Sequence, residues 1–326
     1  MSSKTITIIG SLNVDLVTVT PRVPSGGETL TASSFSTGPG GKGANQAVAC
    51  ARLSRSRPTS TSPPTSNIAI KMLGAAGADE FGPPLLAGMA ADGIDISSVS
   101  VVKGQTTGVA VILVEESSGE NRILLNPGAN HTLQPEDFTS AASLGTPTPD
   151  LIIMQLEIPI PTVLQILKTA KEAKVQVLLN PAPAVKLPEE VYPGITHLIV
   201  NETEAALLTN RSVEEVEAPD YDWSTIINEF LCKGVTNVII TLGSKGAVFA
   251  HSGMDKPGFV PAEKVAKVVD TTAAGDTFVG AYAVNVVRKG GNGVVGEEDI
   301  KLACKAAGRT VEKQGAQSAI PWADEI

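Results

Sequence analysis

The stretch LIIMQLEIPIPTVLQILKTAKEAKVQVLLN, residues 151–180, decides the fold class. It opens on an apolar run at 151–156 and closes on another at 175–179, both short and continuous, as strands covered on two faces are. Between them Val163, Ile166, Leu167 and Ala170 fall at i, i+3, i+4 and i+7, one apolar stripe of a helix. Strand, helix and strand in succession make a βαβ unit and therefore a parallel pair.

The same reading extends outward. Runs at 5–9, 68–73, 197–200 and 238–242 have the same buried character and alternate with helical patterns. The expected fold is α/β, a doubly wound, largely parallel sheet flanked by helices, with residues 1–326 as one domain. Two places break the rhythm. Residues 108–114 and 121–125 read as a hairpin joined by Glu-Glu-Ser-Ser-Gly-Glu, with no helix beside it. With the extended chain around 16–35 it makes a small separate sheet, drawn from about 14–37 and 98–126. That sheet is either a lid that keeps water from a site on the main sheet or an ordinary surface hairpin. The second break, SRSRPTSTSPPTS at 54–66, has little to bury and reads as a surface loop without a chemical role.

Composition removes several function classes. The 31 glycines and 22 prolines among 326 residues stay well below the roughly 25–30% of low-complexity chains, so the chain folds. A net charge of −9 without a basic block, and only 4% aromatic residues, leave no footprint for nucleic acid. No run approaches the ~18 apolar residues of a membrane span, and the N-terminus lacks a signal-peptide core. Cys50, Cys232 and Cys304 are odd in number and far apart, which points to a reduced, cytoplasmic setting, equally compatible with the nucleus. His131, His197 and His251 are scattered without metal-ligand spacing.

The chemistry concentrates in a few segments. Two GxGxxG patterns, beginning at Gly38 and Gly291, lack the strand before them and the acidic residue about 20 positions on that a dinucleotide fold needs. More informative is VDTTAAGDTFVG at 269–280, where Asp270 ends an expected strand and Asp276 stands in the first turn of a helix carrying Phe278, Ala281 and Tyr282 on one face. The small residues leave the amides of Ala273, Ala274 and Gly275 open at a helix N-terminus, a site of phosphate size. A carboxylate beside it, Asp276, can take the proton of an alcohol attacking phosphorus; the plainer alternative is a first-turn charge facing the helix dipole. GPGGKGAN at 38–45 offers close backbone approach, a cation and an amide, groups suited to sugar hydroxyls. Asn13 and Asp15 follow the first strand, at the carboxyl edge where such sheets bind ligands, unless they serve only the turn. Asn201 and Glu204 open a helix directly after a strand and read both as a capping box and as oxygen ligands for the water shell of Mg²⁺.

Taken together, GGKGAN at 40–45, MQLE at 154–157, NPAPA at 180–184, NETEA at 201–205, TLGSKG at 241–246, DTTAAGD at 270–276 and GAQ at 315–317 resemble the ribokinase family of carbohydrate kinases, in order and over essentially the whole chain. The resemblance implies transfer of phosphate from ATP to O5 of D-ribose, with Mg²⁺ on the phosphates and K⁺ as activator. It makes Asp276 the general base and the amides of Ala273, Ala274 and Gly275 the anion hole. Asn13, Asp15, Gly41, Lys42, Gly43, Asn45 and Glu157 match the sugar-binding positions. Asn201, Thr241, Gly243, Ser244, Gly246, Gly275 and Cys304 match the nucleotide site, and Glu204 the acidic residue associated with Mg²⁺. Asp270, Thr272, Thr310, Lys313, Gly315 and Ala319 match the monovalent-cation loop, whose ion orders the anion hole. The family's lid covers the sugar and commonly forms a homodimer.

Two substitutions depart from that pattern. Ala319 stands where a serine oxygen is often found on K⁺, and Cys304 where an asparagine often stands near adenine. Two rivals remain: a kinase of this fold acting on deoxyribose, fructose or a nucleoside, and a catalytically silent sugar sensor. The scarcity of aromatics disfavours a nucleoside, and an aspartate beside a phosphate nest disfavours silence.

Overall fold

The structure, a computed structural model, describes residues 4–58, 66–118, 120–290 and 293–326. Thus 59–65 of the Ser/Thr/Pro-rich stretch and Gly291 of the second glycine pattern lie outside the described residues.

Thirteen strands are described: β1 Lys4–Ile9, β2 Asn13–Thr20, β3 Ser34–Gly40, β4 Ile68–Gly77, β5 Asp95–Val102, β6 Gly108–Glu115, β7 Asn121–Asn126, β8 Leu151–Met154, β9 Gln176–Leu179, β10 His197–Asn201, β11 Asn237–Thr241, β12 Gly246–His251 and β13 Gly258–Pro261. The helices are α1 Lys42–Leu53, α2 Gly82–Ala91, α3 Ile160–Ala173, α4 Glu202–Leu208, α5 Val213–Val216, α6 Ser224–Cys232, α7 Ala274–Arg288 and α8 Glu297–Val311. Nine strands form one sheet in the order β13-β12-β11-β10-β9-β8-β1-β4-β5, parallel from β11 to β5, with β12 and β13 added antiparallel.

Period-2 alternation feeds two cores. Ile6, Ile8, Leu151, Ile153 and Ile199 join the core under α1, α7 and α8, while Ile9, Ile152, Met154, Leu198 and Val200 join the core under α3, α4 and α6. This doubly covered sheet is why the strands read as unbroken apolar runs. The chain leaves β1 in one direction toward β4 and returns to its other side at β8, so the carboxyl ends of β1 and β8 flank the topological switch, where ligands of such sheets bind.

A second sheet has the order β3-β2-β6-β7 and stands apart from the first. Its β6–β7 hairpin follows the sequence expectation closely, but residues 98–102 do not belong to it. They lie in β5, the edge of the large sheet, where Ser98 to Val102 pair in parallel with Leu73 to Gly77 of β4. Two further expectations shift. The strand from Leu151 stops at Met154 instead of 156, because the amide of Leu156 already donates to the Ala182 carbonyl. Asp270 ends no strand; the Val269 and Asp270 amides both donate to the Val311 carbonyl and tie this segment to the end of α8. Helix α1 begins at Lys42, inside the GPGGKGAN segment, with Gly41 as N-cap at φ +86°, a backbone that suits glycine.

α1 and α7 lie side by side, and their contact positions the site. The Cys50 thiol points to the Gly280 carbonyl at 3.8 Å, and glycine at 280 lets the two backbones approach. The N-terminal ends of both helices therefore meet over the carboxyl edge of the sheet.

Candidate active site

Around Glu157, just past β8, the chain gathers donors from three segments. Its Oε2 accepts from Ser11 Oγ at 2.6 Å, the Lys42 amide at 3.0 Å and Asn13 Nδ2 at 3.3 Å. Asn13 is itself held, its Oδ1 accepting from Asn130 Nδ2 at 2.7 Å, while Asn130 also brackets the backbone of Leu12. Gly43 donates its amide to Ser11 Oγ at 3.2 Å. Asp15 stands beside this cluster with its carboxyl pushed up to about 6, first by burial and then by the charges of Glu157 and Asp276, against which Lys42 works.

Lys42 is the central cation. Burial works against its charge, yet Asp276, Glu157, Glu204 and Asp15 outweigh that and raise it above the usual lysine range. It thus stays protonated between the carboxylates of the two helix ends.

Asp276, 7% exposed in the first turn of α7, accepts on both oxygens: Asn45 Nδ2 donates to Oδ2 at 3.1 Å and Gln46 Nε2 to Oδ1 at 2.9 Å. The turn before it is built for an anion. Ala273, the N-cap, has the left-handed conformation φ 59°, ψ 8°, and the first intrahelical bond runs from the Thr277 amide to the Ala273 carbonyl at 2.8 Å. The amides of Gly275 and Asp276 then have no carbonyl of their own helix to meet. One expected donor differs: the Ala274 amide already donates to the Thr271 carbonyl, at 3.3 Å. A left-handed residue in front of helical ones turns successive amides into a concave nest.

Two cavities adjoin this turn. A polar one of about 220 Å³ is lined by Lys42, Asn180, Asn201, Glu204, Ala273 and Asp276 among others. An apolar one of about 300 Å³ is lined by Gly243, Val265, Val268, Phe278, Cys304 and Val311, with Ser244 and Gly246 on its wall. Thr241, Thr271 and Gly275 border both. Cys304 therefore faces an apolar slot, and burial pushes its thiol up to about 11, so it is a packing surface and not a thiolate.

Asn201 and Glu204 form a reciprocal capping box: Asn201 Oδ1 accepts from the Glu204 amide at 2.7 Å and Glu204 Oε2 from the Asn201 amide at 2.9 Å. Glu204 also borders the polar cavity, and burial raises its carboxyl above the usual range. Hard oxygens on a polar cavity of this size fit Mg²⁺, which keeps several waters and takes few carboxylates.

The cation-loop residues are only partly gathered. Asp270 accepts from the Thr272 amide at 2.9 Å, the Thr272 hydroxyl at 2.6 Å and the Gly315 amide at 2.9 Å, bracing 270–272 against 315. Thr310 instead donates its hydroxyl to Thr277 between α8 and α7 at 2.9 Å, and Lys313 pairs with Glu325 at 3.1 Å. Ala319 is fully buried and offers no side-chain oxygen. No cluster of three or more His, Cys, Asp and Glu suited to a metal occurs among the described residues. His197 is structural, its Nδ1 2.8 Å from the Tyr282 hydroxyl in the core, and burial pulls it down to about 4.

Sequence reasoning passed over Ser11, Gln46, Asn130, Gln155 and Asn180. Two of them lie inside segments already singled out, Gln155 in MQLE and Asn180 in NPAPA, and Gln46 directly follows Asn45 at the end of a third. Only the packing of α1 on α7 reveals what they touch.

The pfkB family carbohydrate kinase model matches residues 3–323. The chain is 43% identical to a ribokinase of Schizosaccharomyces pombe, covering 98% of this chain and 96% of that protein. It is 37% identical to a deoxyribokinase of Salmonella typhimurium, covering 98% and 97%. Among solved structures it is similar to Arabidopsis thaliana ribokinase complexed with ribose and ATP, with a TM-score of 0.81, 30% identity and coverage of 99% and 97%.

Proposed function

The chain belongs to the pfkB family of carbohydrate kinases, and on that premise we propose that it is a ribokinase, transferring the γ-phosphoryl group of ATP to O5 of D-ribose. The observation that carries this reading is Asp276: a buried carboxylate, held on both oxygens, on the wall of the polar cavity and beside an amide nest whose Gly275 borders the polar and the apolar cavity.

In the proposed reaction, ribose lies among Asn13, Asp15, Gly41, Lys42, Gly43, Asn45 and Glu157. Asp276 accepts the proton of the 5-hydroxyl as its oxygen bonds to the γ-phosphorus and the bond to the β-γ bridging oxygen breaks, giving ribose 5-phosphate and ADP. The amides at the start of α7 and the Lys42 ammonium hold the charge that gathers on the transferred group. Adenine occupies the apolar slot near Cys304, with Asn201, Thr241, Gly243, Ser244 and Gly246 along the nucleotide. Glu204 would hold the water shell of Mg²⁺, which when bound with ATP would supply charge neutralisation on the phosphate oxygens. For K⁺, Asp270 and neighbouring backbone carbonyls would be the hard-oxygen donors, with one ligand fewer at Ala319, on the segment that leads into the nest.

The four-stranded sheet serves as the lid of a single α/β domain. Phe35, Ile123 and Leu124 are 64%, 56% and 68% exposed on it, and a second copy of the chain would cover them in a homodimer. No helix among the described residues is long and apolar enough to cross a membrane, in keeping with a cytoplasmic enzyme.

The similarity to a deoxyribokinase keeps 2-deoxyribose as a second reading of the substrate. ADP release measured with ribose, 2-deoxyribose, fructose and a nucleoside, with and without K⁺, separates these. A clear preference for ribose is expected. Equal turnover on 2-deoxyribose removes the ribose assignment, and no turnover on any sugar leaves a sugar-binding protein.

A further inference from the structure

Gln46 is fully buried, yet it uses its amide in three directions. Its Nε2 donates to Asp276 Oδ1 at 2.9 Å and to Asn180 Oδ1 at 3.1 Å, and its Oε1 accepts from Gln155 Nε2 at 2.6 Å. Asn180 in turn donates through Nδ2 to the Ile199 carbonyl at 3.0 Å. The orientation of every amide in this chain follows from its ends. A carboxylate and a main-chain carbonyl only accept, so the NH₂ groups of Gln46 and Asn180 must face them, and Gln155 must then present its NH₂ to the Gln46 oxygen.

The chain spans four elements. Gln155 follows β8, Asn180 follows β9, Ile199 lies in β10 and Gln46 lies in α1. Through Gln46 the ends of three parallel strands set where a side chain of α7 stands. Burying three amides against a largely aliphatic core costs stability unless the groups pair. The pairing here converges on one atom, Oδ1 of Asp276, and leaves Oδ2 to Asn45 and to whatever occupies the sugar cluster.

We propose that Gln46 is the positioning residue of this site: steered by Gln155 and Asn180, it fixes the plane of the Asp276 carboxylate so that Oδ2 meets the attacking hydroxyl. The proposal rests on the reading of Asp276 as the base. Gln46 touches neither sugar nor nucleotide in it, so its removal acts on kcat and leaves KM for the sugar alone. A carboxylate free to turn loses alignment, and misplacement by about 1 Å costs on the order of 10²-fold in rate.

The test compares Gln46→Met, Gln155→Met and Asp276→Asn, and adds Gln46→Met in the Asp276→Asn background. ADP release gives kcat and KM, and near-ultraviolet circular dichroism reports the packing. Gln46→Met is expected to lower kcat by about 10- to 100-fold with sugar KM within about twofold, and Gln155→Met to lower kcat less. In the Asp276→Asn background the Gln46 substitution should change the residual rate by less than about twofold, because the group it orients is no longer a base. An unchanged kcat in Gln46→Met, or a full loss repeated in the Asp276→Asn background, overturns the positioning role while the base assignment stands. Near-native turnover of Asp276→Asn itself overturns the reading on which it rests. If Gln46→Met loses its near-ultraviolet signal, Gln155→Met decides: native kcat there, with native packing, also overturns the role.

Discussion

Gly280 lies against Ala49 so closely that no further methyl group fits between them; a Cβ at 280 would also come within 2.9 Å of the Cys50 amide nitrogen. The contact lies one turn below the pairing of Asn45 and Gln46 with Asp276, so helix spacing and active-site geometry are one quantity. Gly280→Ala is expected to cost about 1–3 kcal/mol by overpacking and to lower kcat as well, because α7 must move away from α1. Thermal unfolding and ADP release measure the two effects. Native kcat in a destabilised Gly280→Ala would uncouple them.

Removing the proposed base tests the chemistry directly. Asp276→Asn keeps the shape and is expected to reduce kcat by about 10²–10⁴-fold, the usual worth of general-base catalysis. Sugar binding by calorimetry should be largely retained, since Asn13, Lys42 and Glu157 remain. Loss of binding in parallel with rate would make Asp276 a sugar ligand first.

In the proposed sugar site the Asp15 carboxyl, pushed up to about 6, sets a pH dependence. Above that pH it is a carboxylate whose oxygens both accept hydrogen bonds; below it one oxygen carries a proton and sugar binding is expected to weaken. Sugar affinity is therefore expected to fall by up to about tenfold per pH unit below about 6. The sign for the free protein is opposite: a raised carboxylate contributes stability that is present below its unfolded value near 3.8 and is lost as pH rises through about 6. Asp15→Asn should flatten the affinity profile, and an undiminished slope in that variant would move the titration to another group.

Potassium should raise the rate relative to sodium, through order at Ala273 to Gly275. Ala319→Ser, restoring a side-chain oxygen, should lower the K⁺ concentration for half-activation. Initial rates across a KCl series at constant ionic strength measure both, and identical rates in K⁺ and Na⁺ would remove the cation from the mechanism.

On the lid, Leu124→Glu places a charge on the most exposed of its large apolar side chains. Sedimentation at micromolar concentration is expected to show a dimer for the native chain and a monomer for this variant. An unshifted native dimer would place the interface elsewhere.

How far the chain disclosed itself depends on the range of the forces involved. The βαβ rhythm and the start of α7 were legible because periodicity and helix-start chemistry are local: Asp276 reads as a first-turn carboxylate from its neighbours alone. β12 and β13 went unread, since short strands beginning at glycine carry a weak pattern and owe their place to tertiary pairing, β12 on β11 and β13 on β12. The misplacement of 98–102 has the same root, because β5 is fixed by its pairing with β4 and not by a pattern of its own. Gln46, Gln155 and Asn180 come from positions 25 to 134 residues apart and acquire meaning only when α1 meets the strand ends. No spacing rule connects them.

Thr241, Thr271 and Gly275 are walls of the polar and of the apolar cavity alike. On the proposed assignment, selectivity on the two sides can evolve separately: side chains such as Val265, Val268 and Cys304 line the apolar side alone and can change without touching the polar side. For an inhibitor the same three residues set the design rule. A compound carrying both an apolar head and a polyol tail has to run past two threonines and a glycine, and its gain over either fragment alone would measure whether the two cavities communicate.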